Sequence, residues 1–177
     1  MSSALGNLSL WSKEANAINH IDHITLTHQP SALFKRPFLL QHPVILYSVH
    51  VHLRKSLSHL ANINSTRHSQ VGSYALQVHI VHHRFSEFYQ LNQELNEIVK
   101  KNSHCVYCYQ VLTVLDDTMF PHRGIHWIYL RKGQLEHWMN KVLKIVTEHP
   151  GQFENRCDGF RDVMHLLICF FNIHDIL

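Results

Sequence analysis

Two features of this chain combine the residue types and the spacing that chemistry needs. The first is Arg84 followed by Phe85, at a point where an alternating, strand-like pattern changes into an amphipathic, helix-like one. A guanidinium can bind a phosphate through two hydrogen bonds, and a neighbouring aromatic ring can cover the face of a sugar-like ring. We therefore expect this corner to recognise a phosphorylated small headgroup rather than to catalyse a reaction.

The second feature is the cysteine pair Cys105 and Cys108, which follows His104 and has the spacing of half a zinc site. A structural zinc needs a second pair of ligands, and Cys157 and Cys169 are not spaced as such a pair. We therefore expect buried thiols and no bound metal, with a zinc-dependent fold as the alternative. A cysteine hydrolase would also need a positioned base and an oxyanion site. No motif indicates either, so we expect no enzymatic activity.

The composition is that of an ordinary globular domain, with 45% hydrophobic and 16% charged residues. The formal net charge of +3 suits an anionic partner without specifying one, and we expect no nucleic acid partner. Residues 1–20 contain no continuous apolar stretch of a secretory leader. The longest apolar run lies near residues 166–171 and is far too short to span a membrane. We expect a cytoplasmic protein with reduced thiols.

The 18 histidines are the unusual feature of the composition. Below about pH 6.5 they would add positive charge, so that binding of an anion would strengthen on acidification. The other interpretation is that histidines replace lysine and arginine on solvent-exposed faces. His50, His52 and His79 fall on the polar faces of predicted strands, and this pattern favours the second interpretation.

Three stretches alternate between apolar and polar residues and are predicted to be strands. The first covers residues 20–27, with Ile24 and Leu26 on one face. The apolar face of the second consists of Ile45, Tyr47, Val49, Val51 and Leu53. The apolar face of the third consists of Tyr74, Leu76, Val78 and Ile80, with Gln77 and His79 opposite. A polar segment over residues 55–72 joins the last two strands, which indicates an antiparallel pair.

Three later stretches have helical periodicity, and the first of them starts at Ser86, a favourable N-cap residue. That helix is predicted to reach Lys101. The second covers residues 135–146 and the third residues 160–171. Because the strands come first and the helices afterwards, the predicted class is α+β, with the helices packed on one side of a small sheet.

With these elements assigned, the chain resembles the PX (phox homology) family of phosphoinositide-binding domains over about residues 20–171. The family's strand-to-helix signature stands here as Arg84-Phe85-Ser86-Glu87-Phe88, and its helical signature as Arg131, Leu135, Trp138 and Met139. The resemblance implies a three-stranded antiparallel sheet packed against about three helices, with an irregular proline-containing loop. It places the domain at residues 20–173, after a flexible tail at 1–19 and before a short end at 174–177.

The resemblance also implies a binding site for phosphatidylinositol 3-phosphate. Arg84 matches the arginine that binds the 3-phosphate, and Phe85 matches the aromatic residue that packs on the inositol ring. Arg131 matches the arginine that hydrogen-bonds the ring hydroxyls. Arg123 is the nearest counterpart of the basic residue that contacts the 1-phosphate. The proline-rich loop of the family keeps only Pro121 here, so the match at Arg123 is the least complete.

Ile125, Trp127 and Ile128 form an apolar stretch beside this site that could enter a bilayer. The segment is short for a membrane-inserting loop of the family, so Trp127 and Ile128 could instead pack under the second helix. The chain is similar to small fungal endosomal PX adaptor proteins. This likeness implies a protein, needing no cofactor, that is peripheral on endosomal or vacuolar membranes and recruits a partner through its N-terminal tail. The alternative is a protein-interaction domain on a PX-like scaffold with weak or altered lipid binding.

Overall fold

A computed structural model of the chain describes residues 16–30, 45–54, 77–122, 128–148 and 157–173. The strands are β1 (Ile21–Pro30), β2 (Ile45–Leu53) and β3 (Val78–Arg84), and they form one antiparallel sheet in the order β1-β2-β3. The helices are α1 (Phe85–Lys101), α2 (Val106–Asp117), α3 (Ile128–Thr147) and α4 (Asp158–Phe171). A short helical segment at residues 16–19 precedes β1. The α+β class is therefore confirmed, with strands before helices.

Strand β1 lies at one edge of the sheet, where helix α3 covers it. The backbone N–H of Ile24 donates to Oδ1 of Asn140 at 2.9 Å, and Nδ2 of Asn140 donates to the carbonyl of Ile24 at 2.8 Å. The N–H of Leu26 donates to Oε2 of Glu136 at 2.7 Å. An exposed edge strand can pair with another chain, and these side chains occupy the backbone groups that such pairing would need. They also fix α3 along the sheet.

The predicted face of β2 is confirmed. The predicted face of β3 is wrong at Val78 and Ile80, while Tyr74 and Leu76 lie outside the described residues. Tyr47, Val49, Val51 and Leu53 are buried. On β3 the partly buried residues are His79, Val81 and His83, which lie opposite Val51, Val49 and Tyr47. Val78 and Ile80 point outward with 37% and 48% of their surface exposed. Because opposite residues of an antiparallel pair share a face, the register with β2 decides which side of β3 is buried.

The core lies between the inner face of the sheet and the helices. Its largest fully buried side chains are Trp138, Tyr47, Phe88, Phe160 and Phe171. Helix α1 packs against α2 and α4, and α3 packs against β1 and α2. The three predicted helices are present, and α2 is an additional one. Its sequence is rich in β-branched and aromatic residues, which have weak helix propensity, so no helical signal stood out.

Residues 16–19, assigned from sequence to the tail, are helical, and Ala17 and Ile18 are buried in the core. The tail before residue 16 and the end after residue 173 lie outside the described residues. No helix among the described residues combines the length and the apolar character that crossing a membrane requires.

Candidate functional site

The corner predicted to bind phosphate is formed where β3 ends at Arg84 and α1 begins at Phe85. Arg84 is the N-cap of the helix, with extended backbone angles (φ −82°, ψ 159°), and its N–H donates to Oε2 of Glu87 at 2.7 Å. The prediction that Ser86 caps the helix is wrong, because Ser86 already lies in the first turn. Glu87 satisfies the N-cap backbone from within the first turn.

The carboxylate of Glu87 is held in its charged form at this corner. Burial raises its pKa, but the hydrogen bonds from the Arg84 backbone and from His83 outweigh that effect and lower the pKa below its usual value. The carboxylate therefore stays ionised well into the acidic range and keeps the helix start in place.

The Arg84 side chain is exposed, and no described residue forms an ion pair with it. Arg84 lies opposite Leu46 of β2, on the outer side of the sheet. Arg84 is the N-cap residue of α1, so its exposed side chain extends from the helix N-terminus, where the aligned peptide dipoles also favour an anion. An exposed guanidinium at a helix start is well suited to a phosphate.

Phe85 connects this corner to helix α3. Cζ of Arg131, in the first turn of α3, lies 4.6 Å from the centroid of the Phe85 ring. The Phe85 ring is half-buried, and only 6% of the surface of Arg131 is exposed. Arg131 also lies beside the buried Tyr47: burial raises the pKa of the Tyr47 hydroxyl, and the charge of Arg131 opposes part of that rise. The positive charge of Arg131 thus sits inside the fold, just beneath the aromatic ring.

A second aromatic residue, Phe120, packs against this corner. Its ring centroid lies 5.9 Å from that of Phe85 and 5.1 Å from that of Trp138 on α3. Tyr89 on α1 contacts it at 6.2 Å. Pro121 follows and is buried. No role was predicted for Phe120 from the sequence, because only Pro121 and Arg123 stood out in this segment.

The structure therefore brings together three of the four residues predicted to bind the headgroup: Arg84, Phe85 and Arg131. Arg123, Ile125 and Trp127 lie outside the described residues. Ile128 is the first residue of α3, and its side chain is not described.

The next two residues of α3 present an apolar surface beside Arg131. Tyr129 exposes 81% of its surface and Leu130 52%. The Tyr129 ring contacts His28 of β1 edge-on, with centroids 4.9 Å apart. A tyrosine and a leucine exposed next to a buried arginine are the residue types that suit the interface between water and lipid.

His83 precedes the corner but points to the opposite side of the sheet. Its ring stacks on Phe170 of α4 with centroids 4.0 Å apart, and its Nε2 lies 2.7 Å from the carbonyl oxygen of Phe170. Its Nδ1 lies 3.2 Å from Oε1 of Glu87. His83 therefore joins β3, α1 and α4, and it does not face the position where Arg84 could hold a phosphate.

Two of the strand histidines lie on the outer face of the sheet, as predicted. Nε2 of His52 lies 2.9 Å from Oγ1 of Thr25, and Nε2 of His50 lies 3.0 Å from Oγ1 of Thr27. The prediction for His79 is wrong, because it shares the inner face of β3 and its Nε2 is buried. The pairing with β2 that turns Val78 outward also turns His79 inward.

Sequence spacing also separated Cys157 from the Cys105–Cys108 pair, and here the structure corrects it. The three Sγ atoms lie within 4.8 Å of one another. Cys169 lies elsewhere on α4, exposed, with its Sγ 3.5 Å from Nε2 of His165. In the part of the chain that the structure describes, these three cysteines are the residues placed to hold a metal ion.

Comparison with known proteins finds no matching family model, no matching curated protein and no matching solved structure.

Proposed function

We propose that this chain is a PX-like domain that binds a phosphoinositide, phosphatidylinositol 3-phosphate, through Arg84, Phe85 and Arg131. The observation that carries the proposal is that the guanidinium of Arg131 lies over the ring of Phe85, whose neighbour in the chain is the exposed Arg84. Phe85 and Arg131 are far apart in the sequence and belong to different signatures, and they meet in this contact.

Each residue has a separate role in this proposal. Arg84 binds the 3-phosphate, since its guanidinium is exposed and can form paired, charge-assisted hydrogen bonds. Phe85 presents its ring to the face of the inositol. Arg131 supports that ring and adds a positive charge, which acts more strongly because its surroundings are largely buried. Arg123 remains the proposed contact for the 1-phosphate.

Contact with the membrane surface adds to the affinity that the headgroup site provides. Exposed Tyr129 and Leu130 can contact the interface beside the headgroup, together with the neighbouring Ile125, Trp127 and Ile128. An anionic surface adds about 1 kcal/mol of attraction for each basic residue near it. We place the protein on endosomal or vacuolar membranes as a peripheral adaptor without enzymatic activity, which recruits a partner through its N-terminal tail.

A second function is favoured by the burial of Arg131. Arg131, with only 6% of its residue surface exposed, must move before its guanidinium can hydrogen-bond a ring hydroxyl of a ligand. If Arg131 stays buried, the same scaffold would bind a protein partner and would have only weak affinity for lipid.

Sedimentation with vesicles separates the two functions. Phosphatidylcholine vesicles carrying one phosphoinositide at a time are compared with vesicles that carry phosphatidylserine at the same total charge. The proposal expects sedimentation with phosphatidylinositol 3-phosphate and much less with phosphatidylserine. Equal, weak binding to all anionic vesicles would exclude a headgroup site and leave the protein-interaction function.

A further inference from the structure

The starts of two helices meet at a point away from the Arg84–Phe85 corner. Cys105 is the N-cap of α2 and Cys157 is the N-cap of α4, and both have extended backbone angles. Cys108 lies one turn into α2 and is buried. The Sγ atoms of these three cysteines lie within 4.8 Å of one another, and those of Cys108 and Cys157 are 3.7 Å apart. Three sulfur ligands from two helix starts thus converge on one point.

The spacing of the sulfur atoms matches a metal site rather than a disulfide. Two thiolates bound to the same tetrahedral zinc, each at about 2.3 Å, lie about 3.8 Å apart. The distance of 3.7 Å between Cys108 and Cys157 is close to that value. Sulfur atoms joined in a disulfide lie about 2.05 Å apart. Cys105 and Cys108 also have the two-residue spacing that lets neighbouring cysteines hold one ion.

The backbone at the cluster favours negative charge on sulfur. Both Cys105 and Cys157 lie at helix N-termini, where the aligned peptide dipoles stabilise an anion.

The surrounding contacts hold the two helix starts together. The N–H of Cys105 donates to the carbonyl of Asn102 at 2.9 Å. Asn102 itself packs so closely on Gly159, in the first turn of α4, that a Cβ at Gly159 would overlap its side chain. The cluster is therefore placed by packing on both sides and does not depend on a metal to bring its residues near one another.

We propose that Cys105, Cys108 and Cys157 form a zinc site with three protein ligands, which joins the N-terminus of α2 to that of α4. Three thiolates bind Zn²⁺, water takes the fourth tetrahedral position, and the thiol protons are released to solvent. Soft sulfur ligands select zinc over calcium or magnesium. The ion would link segments 49 residues apart in the chain, where a cross-link restricts the unfolded chain strongly.

Metal content and cobalt spectroscopy test this site on the full chain. Purified under reducing conditions with zinc present, the protein is expected to retain about one zinc per chain after dialysis, since three thiolate ligands hold the ion. The cobalt-substituted protein is expected to show a sulfur-to-metal charge-transfer band and the strong visible bands of tetrahedral cobalt. The thiolate band matters because surface histidines of this histidine-rich chain can also hold metal, but they give no such band.

The matched variants separate this cluster from any other metal-binding residues. Cys157→Ser should abolish most of the charge-transfer band, whereas Cys169→Ser should leave it at the level of the wild type. If Cys157→Ser does not fold, the spectrum of the cobalt-substituted wild type still tests whether thiolates bind the metal. A wild type without zinc and without the thiolate band, or with Cys108 and Cys157 joined in a disulfide, overturns the proposal. Because the site is separate from Arg84 and Phe85, that result would leave lipid binding untouched.

Discussion

The guanidinium of Arg131 lies over the ring of Phe85, with Cζ 4.6 Å from the ring centroid. This contact joins the first turn of α3 to the first turn of α1, so that one residue from each sequence signature takes part in it. A cation packed against an aromatic face is worth about 0.5–2 kcal/mol, more where water is excluded. The contact therefore fixes the orientation of the ring that we propose covers the inositol.

Replacing Phe85 with leucine should weaken lipid binding while leaving the fold intact. Leucine keeps most of the apolar contact with Phe120 but offers no flat face to the inositol and no contact for a cation. We expect the affinity for phosphatidylinositol 3-phosphate vesicles to fall about tenfold, which corresponds to about 1.4 kcal/mol. Vesicle titration measures this. Tyr109→Leu, which alters an aromatic residue of α2 that is 60% exposed, is the control and should bind as the wild type does. Equal losses in both variants would contradict a specific role for Phe85.

Exposed residues at the start of α3 should contribute to membrane contact. Tyr129→Ser together with Leu130→Ser removes apolar surface that is 81% and 52% exposed in the free protein. We expect reduced binding to vesicles but unchanged affinity for the soluble headgroup, because only the bilayer contact is lost. The control is Tyr109→Ser, which makes the same replacement at a tyrosine of α2 that is 60% exposed. If the double variant also loses the soluble headgroup, the effect would come from a damaged site.

The close packing of Gly159 on Asn102 should make that glycine necessary for stability. Nδ2 of Asn102 donates to the carbonyl of Ile98 at 2.8 Å, so its side chain cannot easily move away from an added Cβ. Gly159→Ala is expected to lower the free energy of unfolding by about 1–3 kcal/mol through overpacking. Gly133→Ala is the matched control: no atom lies within 4 Å of the new Cβ. It should raise stability by about 0.5–1 kcal/mol through better helix propensity. Urea unfolding of both variants measures the difference, and a neutral Gly159→Ala would contradict the packing.

The outer-face histidines should make the fold sensitive to mild acid. Burial lowers the pKa of His52, and the nearby charges of His23 and His50 lower it further. His52 also stacks on His23, with ring centroids 4.1 Å apart. Since the pKa is lower in the folded state than in the unfolded chain, the unfolded chain binds more protons in this range.

Stability linked to His52 is therefore complete above about pH 6.5, the ordinary value for histidine, and is lost as the pH falls through the lower folded pKa. Urea unfolding at a series of pH values should show this loss in the wild type. It should be smaller in His52→Gln, while His137→Gln, a change at an exposed histidine of α3, should follow the wild type. An unchanged pH profile in His52→Gln would refute the assignment.

Sequence patterns predicted those elements whose periodicity was unambiguous. Strand β2 alternates cleanly between apolar and polar residues, and α1 has its apolar residues at helical spacing, so both were placed correctly. In β3 apolar residues occur on both faces, at Val78 and Ile80 on one side and Val81 on the other. Only pairing with β2 decides between them, and that pairing is a property of the whole sheet.

Some site residues could likewise be identified from a local motif, whereas others are brought together only by the packing of distant helices. Arg84 and Phe85 were identified from one contiguous motif at a strand-to-helix junction. The burial of Arg131 depends on where α3 packs. The approach of Cys157 to Cys108, which lie 49 residues apart, depends likewise on where α2 and α4 begin. Spacing along the chain carries no signal for either, because both follow from helix packing.

The most direct measurement compares Arg84→Ala with Arg54→Ala in binding to vesicles that contain phosphatidylinositol 3-phosphate. Both variants remove one exposed arginine from the same sheet. Arg54 follows the end of β2 opposite to the end that pairs with Arg84, about 25 Å away at strand spacing. Within the described part of the chain, the Arg54 side chain forms an exposed ion pair with Asp22, at 3.6 Å, which contributes little to stability.

Loss of a charge-assisted hydrogen-bonded pair costs about 1.5–3 kcal/mol, so Arg84→Ala should weaken binding about tenfold or more. Arg54→Ala should lose no more than the general attraction of one charge to the surface, about 1 kcal/mol or less. Circular dichroism confirms that both variants are folded. Equal affinity of the two variants would contradict a phosphate site at Arg84.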